Sequence, residues 1–162
     1  MFTENKQWKI GVAGAVVHRG RVLLVRHTYG PKKGCWALPG GYTTHQERLD
    51  QSVVRELREE TGIHVQVVDV IGMVTRYTEQ GGAVFVVFRL RPLSGQPEPD
   101  GVEVDRIGWF SFAELMAMTA EELMPDIRNP VLAALKGGPG LLEDERYPGR
   151  SETCRGFLVQ WE

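Results

Sequence analysis

The segment at positions 41–63 reads GYTTHQERLDQSVVRELREETGI and decides how the rest of the chain is interpreted. Thr44 and Glu47 have the spacing of a capping box, whose hydroxyl and carboxylate accept hydrogen bonds from backbone N–H groups at a helix start. Apolar side chains then recur every four residues and form one stripe, at Leu49, Val53 and Leu57. Gly62 is a natural C-terminal stop. The pattern predicts a helix of roughly four turns.

Three glutamates share one face of this predicted helix, because Glu56, Glu59 and Glu60 fall at positions i, i+3 and i+4. Like charges at that spacing repel one another unless a cation offsets them. Magnesium prefers oxygen ligands and commonly bridges carboxylates to substrate phosphates, and it lowers the pKa of a bound water. The face is therefore a candidate platform for pyrophosphate chemistry. The alternative is a solvated face whose charge is offset by Arg55 and Arg58.

Strands are predicted on both sides of the helix, in segments that are rich in apolar, β-branched or aromatic residues. These segments are 9–17, 21–25, 35–38, 65–77, 83–90 and 107–110. Arg19 and Gly20 separate the first two, which predicts a hairpin, and Gly81 and Gly82 mark a turn between the fourth and fifth. Pro39, Gly40 and Gly41 together interrupt any regular element before the helix.

Further helices are predicted towards the C-terminus. Capping-box spacing occurs at Ser111 with Glu114 and at Thr119 with Glu122, and positions 129–135 could form a last short helix before two glycines. Strands and helices in this order predict an α/β or α+β sandwich of layers. We expect a single domain over residues 1–162, since the length and the composition of 42% hydrophobic and 25% charged residues are ordinary for one globular unit.

The net charge and the cysteine content limit the cellular compartment and the classes of binding partner. A net charge of −2 gives no reason to expect a nucleic acid or an acidic membrane as partner. The two cysteines, Cys35 and Cys154, could not staple a chain of this size, which favours a reducing compartment. No apolar run approaches the length of a signal-peptide core or a bilayer span. We therefore expect a cytoplasmic protein without a membrane partner.

The segment at 41–63 also resembles the Nudix box as a whole. That pattern is glycine, five residues, glutamate, seven residues, Arg-Glu, an aliphatic residue, one residue, Glu-Glu, one residue, glycine and an aliphatic residue. The matching positions are Gly41, Glu47, Arg55, Glu56, Leu57, Glu59, Glu60, Gly62 and Ile63. The preceding Trp36, Leu38, Pro39 and Gly40 are similar to the family's usual approach to the box. The chain thus resembles the Nudix hydrolases (MutT-like), with the subfamily unassigned.

The resemblance implies an α/β/α sandwich with a mixed central sheet and a hydrolase that uses a divalent metal to cleave a phosphoanhydride bond. It implies Mg²⁺, with Mn²⁺ as a possible substitute, held by three glutamates and one backbone carbonyl: Glu56, Glu59, Glu60 and the carbonyl of Gly40. Arg55 and Glu47 would form a supporting pair that orients the helix. The capping role of Glu47 is by itself sufficient to explain that residue.

The general base is expected outside the box. In several members of the family a glutamate from a later loop assists the attacking water, and Glu103 is the preferred candidate here. Asp105 is its nearest competitor, and Glu59 or Glu56 could serve instead. The predicted catalytic set is Glu59, Glu56, Arg55 and Glu103.

Arg26 and Tyr77 are the predicted substrate contacts. Arg26 ends the second predicted strand beside His27, and either side chain could contact phosphates, although charged residues at strand ends are usually solvated. Tyr77, like Phe85 and Trp36, could stack on a nucleobase, although aromatic residues on strands more often belong to the core.

The substrate class stays open at the level of sequence. No proline occurs between Ile63 and Pro92, so the marker of many ADP-ribose enzymes is missing. A nucleotide sugar, an ADP-ribose-like compound, a dinucleoside polyphosphate or an oxidised nucleoside triphosphate would all suit the chemistry. Two alternatives remain: a nucleotide-sensing domain, and a non-hydrolytic isomerase that could use Cys35. The hydrophobic segment 157–161 could pair across a homodimer.

Overall fold

A computed structural model describes residues 7–30, 33–79, 81–143, 145, 151–152 and 157–158. Its elements occur in the order β1 (Lys9–His18), β2 (Arg21–His27), β3 (Trp36–Ala37), β4 (Gly40–Tyr42), α1 (Leu49–Thr61), β5 (His64–Thr78), β6 (Gly81–Ser94), β7 (Val104–Ser111), α2 (Phe112–Ala117), a 3₁₀ turn (Pro125–Ile127), α3 (Arg128–Lys136), β8 (Leu142–Glu143) and β9 (Phe157–Leu158). Each segment that the sequence predicts as a strand overlaps one of these strands. The predicted hairpin is formed by β1 and β2.

β1 is the central strand of a mixed sheet, because it pairs with three other strands. It is antiparallel to β2 and β4 and parallel to β6. β5 pairs antiparallel with β6, while β3 and β7 both pair with β2. The parallel pairing extends from Lys9 beside Ala83 to Val16 beside Leu90.

Alternate residues of β1 belong to two apolar clusters, one on each face of the sheet. Val12 and Val16 pack with Val53 and Leu57 of α1. Ala13 and the other members of the second cluster pack with buried residues of α2, α3 and the segment between them. Each fully buried aliphatic side chain contributes roughly 1.5–3 kcal/mol to folding. The described residues therefore form an α/β/α sandwich, and the predicted fold class is confirmed.

Gly14 allows α1 to lie close against the sheet. A Cβ added there would lie 2.5 Å from Cδ1 of Leu90 and 2.6 Å from Cδ2 of Leu57. These distances are shorter than any ordinary van der Waals contact, so a larger residue would push the helix outwards. The helix that carries the glutamates is thus held at a fixed height over β1.

The predicted start of this helix at Thr44 is wrong, because α1 begins at Leu49. The Thr44 amide does donate to Oε1 of Glu47 at 2.9 Å, but this bond closes a turn in the preceding loop. Arg48 and Gln51 form the corresponding bond at the helix itself, at 3.0 Å. Glu47 is held outside the helix by Arg55, which contacts both of its carboxylate oxygens. The predicted stop at Gly62 is confirmed.

The other predicted boundaries are partly right. Ser111 and Glu114 form a complete capping box at α2, and α3 covers the predicted last helix. The Thr119 amide donates to Oε2 of Glu122 at 2.8 Å, but a turn follows instead of a helix. Gly81 and Gly82 belong to β6 and are not in the turn.

The C-terminal segment is described only in part. β9 pairs antiparallel with β8, whereas positions 159–161 and Cys154 lie outside the described residues. Pairing of 157–161 across a dimer stays a prediction. In the part of the chain that the structure describes, the helices are all too short or too polar to cross a bilayer.

Candidate active site

The three glutamates of α1 differ in their exposure to solvent. The Glu60 residue is only 3% exposed, and its Oε2 accepts a hydrogen bond from the Gly40 amide at 2.9 Å. The Glu56 side chain is 13% exposed, and that of Glu59 is 59% exposed. The row therefore runs from the protein interior at Glu60 to open solvent at Glu59.

Gly40 and Gly41 bring the backbone of β4 against this row. Gly40 has φ +151°, and a Cβ there would overlap the carbonyl oxygen of Val12 on β1. A Cβ on Gly41 would lie 2.6 Å from Oε2 of Glu56. Only glycine permits this close approach. The prediction that Pro39, Gly40 and Gly41 interrupt every regular element is wrong for the two glycines, because they lie in β4 and pair with Ala13 and Val12 of β1.

Arg55 connects the glutamates to the loop before α1. Its Nε donates to Glu47 Oε2 at 3.0 Å, and one terminal nitrogen donates to Glu47 Oε1 at 2.6 Å. The other terminal nitrogen donates to Glu56 at 2.7 Å and to Glu59 at 3.0 Å. Such forked, charge-assisted bonds fix the positions of both partners. Arg55 thereby orients two of the three glutamates and ties the loop to the helix.

The charges of this network shift the pKa values of its members. The Arg55 guanidinium is the main cause that lowers the pKa of Glu47 from 4.5 to about 2. The bond to Glu47 in turn raises the pKa of Arg55. The pKa of Glu56 is raised, chiefly because burial disfavours its charged form, although Arg55 opposes this effect. Glu56 thus carries a desolvation cost that Arg55 partly offsets.

Glu47→Gln is expected to lower the free energy of unfolding at neutral pH by about 2 kcal/mol, because Arg55 loses its ionised partner. The folded-state pKa of Glu47 is depressed from 4.5 to about 2. Its stabilisation is therefore complete above the unfolded pKa and is lost as the pH falls towards the folded value. Urea unfolding at several pH values should show the difference between wild type and variant shrinking below about pH 4.5. A difference that stays constant down to about pH 3 would contradict this linkage.

A second loop carries Glu103 to the same region. The Asp100 carboxylate accepts hydrogen bonds from the amides of Val102, Glu103 and Val104 at 2.9, 3.0 and 2.9 Å. The Tyr29 hydroxyl donates to Oε2 of Glu103 at 2.8 Å, and this bond is the main cause that raises the pKa of Tyr29 to about 12. Glu103 is thus fixed both through its backbone and through its side chain.

These parts enclose one cavity of about 450 Å³. Five carboxylate residues line it: Glu56, Glu59, Glu60, Asp100 and Glu103. The rest of the lining consists of His27, Tyr29, Gly30, Gly40, Gly41, Tyr42, Arg76 and Phe85. The structure therefore brings together all four predicted metal ligands and the predicted base, while Arg55 supports them from the side.

The donor set fits a hard divalent cation. It consists of carboxylate and carbonyl oxygens, which are the ligands that Mg²⁺ prefers. The raised pKa of Glu56 reflects a buried negative charge that a cation would offset. Among the described residues, no three acidic, histidine or cysteine side chains are already gathered at ligand distances. Glu56 and Glu59 instead bind Arg55.

The structure does not bring Arg26 or Tyr77 to this cavity. Arg26 forms a two-point ion pair with Asp105, at 2.9 and 2.5 Å, so Asp105 also lies away from the glutamates. Tyr77 is 70% exposed, and its backbone pairs in register with Gly82 of β6. Their neighbours His27 and Arg76 line the cavity instead. Of the residues that line the cavity, His27 and Phe85 are among the sequence-predicted candidates, as possible phosphate and nucleobase contacts, whereas Arg76 is not.

Cys35 and Trp36 also lie outside the lining of the cavity. The Cys35 thiol donates to the carbonyl of Glu121 at 3.2 Å, and the Trp36 ring contacts that of Phe110, with ring centroids 4.8 Å apart. The geometry therefore gives no support to a cysteine-dependent isomerase.

A larger cavity lies elsewhere, between the start of α1 and the middle of β5. Its volume is about 870 Å³, and apolar side chains such as Met73 and Phe88 line most of it. Its ionisable groups, Arg48 and Asp50, are paired with each other at 3.0 Å. Size alone therefore does not identify the reactive site, and the glutamate cavity is the better candidate.

Comparison with known proteins gives consistent matches. The NUDIX domain family model matches residues 8–135. A MutT-like protein of Streptomyces ambofaciens is 37% identical over 113 residues, which cover 69% of this chain and 70% of that protein. An ADP-ribose pyrophosphatase of Methanocaldococcus jannaschii is 33% identical over 89 residues, which cover 54% of this chain and only 53% of that protein.

A solved structure shares the fold over most of its length. The MutT NUDIX hydrolase of Burkholderia pseudomallei aligns with a TM-score of 0.67 and 28% identity, covering 80% of this chain and 97% of that one. The predicted family is confirmed, and the predicted pyrophosphohydrolase class agrees with the names of these relatives. Because the family model matches residues 8–135 and α1 carries the glutamate pattern, the chain belongs to the NUDIX domain family.

Proposed function

We propose that this protein is a divalent-metal-dependent pyrophosphohydrolase that cleaves the diphosphate bond between a nucleoside diphosphate and a second moiety. The observation that carries the proposal is the cavity in which the start of β4 at Gly40, three helix glutamates and Glu103 meet. A strongly acidic cavity is unfavourable for a polyanionic substrate by itself. It becomes suitable when a cation lies between the carboxylates and the phosphates.

Glu56, Glu59 and Glu60, with the carbonyl of Gly40, are the residues that would hold the ion, and Mg²⁺ is the metal we propose, with Mn²⁺ as a substitute. The ion would stabilise negative charge on the phosphate oxygens and lower the pKa of a bound water. Gly40 has a further role, since its amide fixes the Glu60 carboxylate at 2.9 Å. Arg55 is a positioning residue that orients Glu56 and Glu59.

Glu103 is the residue we propose as the general base. Glu103 lines the same cavity as the glutamates of α1, and the Tyr29 hydroxyl donates to its carboxylate at 2.8 Å. A carboxylate fixed within reach of a water can accept its proton as the water attacks phosphorus. The Asp100 turn keeps the backbone of Glu103 in place, so the base does not depend on a mobile loop end.

A panel assay tests the proposal. The purified protein is incubated with magnesium, or with manganese, and with nucleotide sugars, ADP-ribose, dinucleoside polyphosphates and nucleoside triphosphates in ¹⁸O-labelled water. We expect one substrate class to be cleaved between phosphates, with the label in one phosphate-containing product and no cleavage in the presence of EDTA. Absence of cleavage with either metal, for a folded sample, would overturn the hydrolase assignment and favour a sensing domain.

A further inference from the structure

A second compartment of about 200 Å³ adjoins the glutamate cavity. The two share Tyr42 and Arg76 in their linings. The rest of the second compartment is formed by Gln7, Lys9 and the backbone of residues 81–83. A substrate bound at the glutamates can therefore extend across Tyr42 into this neighbouring space.

An aromatic pair forms the boundary between the two compartments. The rings of Tyr42 and Phe85 have centroids 5.4 Å apart and are tilted by 46°. Phe85 lies flat against β1 because residue 11 is glycine, where a Cβ would be 2.5 Å from the ring. The Lys9 ammonium lies 5.4 Å from the centroid of Tyr42 on the side of the second compartment. This lysine is thus placed over the ring by a cation–π contact.

Arg76 is fixed at the same boundary. β5 places it beside Ala83, and Asp126 of the 3₁₀ turn binds one of its terminal nitrogens. The Arg76 side chain remains 39% exposed and lines both compartments, so the contact with Asp126 leaves part of the guanidinium accessible. A guanidinium held by one carboxylate is preorganised to bind a second anion.

The two compartments differ in charge. Arg76 lines both, but five carboxylate residues line the first, whereas the described residues that line the second add Lys9 and include no aspartate or glutamate. A diphosphate in the first compartment needs a cation, but an anionic group in the second would meet positive side chains directly. The cleft is therefore asymmetric along the direction in which a substrate would lie.

We propose that the second compartment is a specificity site for a phosphate monoester carried by the nucleoside moiety of the substrate, bound by Lys9 and Arg76. This inference rests on the proposed function, since it assumes a nucleotide-type substrate in the first compartment. It predicts that nucleotides with a second phosphate on the ribose bind more tightly than those without one.

The test is direct binding, which requires no turnover. Isothermal titration calorimetry with magnesium compares AMP with adenosine 2′,5′-bisphosphate and adenosine 3′,5′-bisphosphate. We expect at least one bisphosphate to bind wild type about 10-fold more tightly than AMP, as one charge-assisted contact would give. Lys9→Gln should remove most of this difference. Lys136→Gln is the matched control, because Lys136 also lies 5.4 Å from a ring centroid, that of Phe112, but outside both compartments.

Two results would overturn the inference. One is equal binding of AMP and both bisphosphates to wild type, and the other is a preference that survives Lys9→Gln. Either result leaves the proposed hydrolase function intact, because that function is judged by cleavage in the panel assay. Conversely, a panel without cleavage removes the hydrolase assignment, whatever the binding data show.

Discussion

Glu59→Gln is expected to lower kcat by roughly a thousandfold while the fold is retained. The change removes one negative charge from the proposed metal site with almost no change in volume. Its side chain is 59% exposed and its contact with Arg55 is a 3.0 Å hydrogen bond that an amide oxygen can still accept. The free energy of unfolding should therefore stay within about 0.5 kcal/mol of wild type. Steady-state kinetics on the substrate found in the panel, with urea unfolding in parallel, measure both quantities.

Glu98→Gln is the control for this substitution. Glu98 is an exposed glutamate in the loop that follows β6, and its amide is bound to the carbonyl of Thr61 at the end of α1. The same chemical change is thus made close to the helix but outside the cavity, and kcat should be unchanged. Equal activity of Glu59→Gln and Glu98→Gln would remove Glu59 from the metal site.

Gly40→Ala is expected to cause the largest combined loss of stability and activity. The residue has φ +151°, a conformation that L side chains rarely adopt, and the new Cβ would overlap the carbonyl oxygen of Val12. We expect the free energy of unfolding to fall by about 3 kcal/mol. The start of β4 must shift, so the 2.9 Å bond between the Gly40 amide and Glu60 is lost. Turnover should then fall at least about 100-fold even where the protein remains folded.

Gly72→Ala separates this effect from a general cost of replacing glycine in the sheet. Gly72 lies in β5, where an added Cβ would meet nothing within 4 Å and the backbone is ordinary. Its stability should be equal to or slightly above that of wild type. If Gly40→Ala were as stable and active as Gly72→Ala, the start of β4 could not be the element that positions Glu60.

The glutamate helix could be predicted from sequence because its information is local. Helical spacing alone places Glu56, Glu59 and Glu60 on one face, and the adjoining apolar stripe that contains Leu57 sets which side is buried. The depth of each glutamate was not predictable in this way. Glu60 is covered by the start of β4, whose Gly40 amide binds its carboxylate. That contact joins residues 20 positions apart.

The cavity is lined by the strand neighbour of each predicted substrate contact, by His27 beside Arg26 and by Arg76 beside Tyr77. Residues of a strand alternate between the two faces of a sheet, but a β-bulge reverses the alternation. β2 has such an irregularity between Arg26 and His27. β5 has two irregularities upstream of Arg76, before Asp69 and before Gly72, and two successive reversals restore the original alternation. Bulges leave no reliable mark in a single sequence, so the cavity-facing residue of each pair could be identified only from the structure.

The parallel pairing of β1 with β6 has a consequence for how the chain folds. Lys9 lies beside Ala83, so this pairing joins residues 74 positions apart (83 minus 9). Closing so long a loop lowers the conformational entropy of the chain before the contacts that stabilise the pairing can form. Folding is therefore slower than in proteins with mostly local contacts. During synthesis from the N-terminus, β1, β2 and α1 emerge from the ribosome before β6 does. The edge of β1 that pairs with β6 therefore stays unpaired until residues 81–94 have emerged, and an unpaired strand edge is a site for association with other chains.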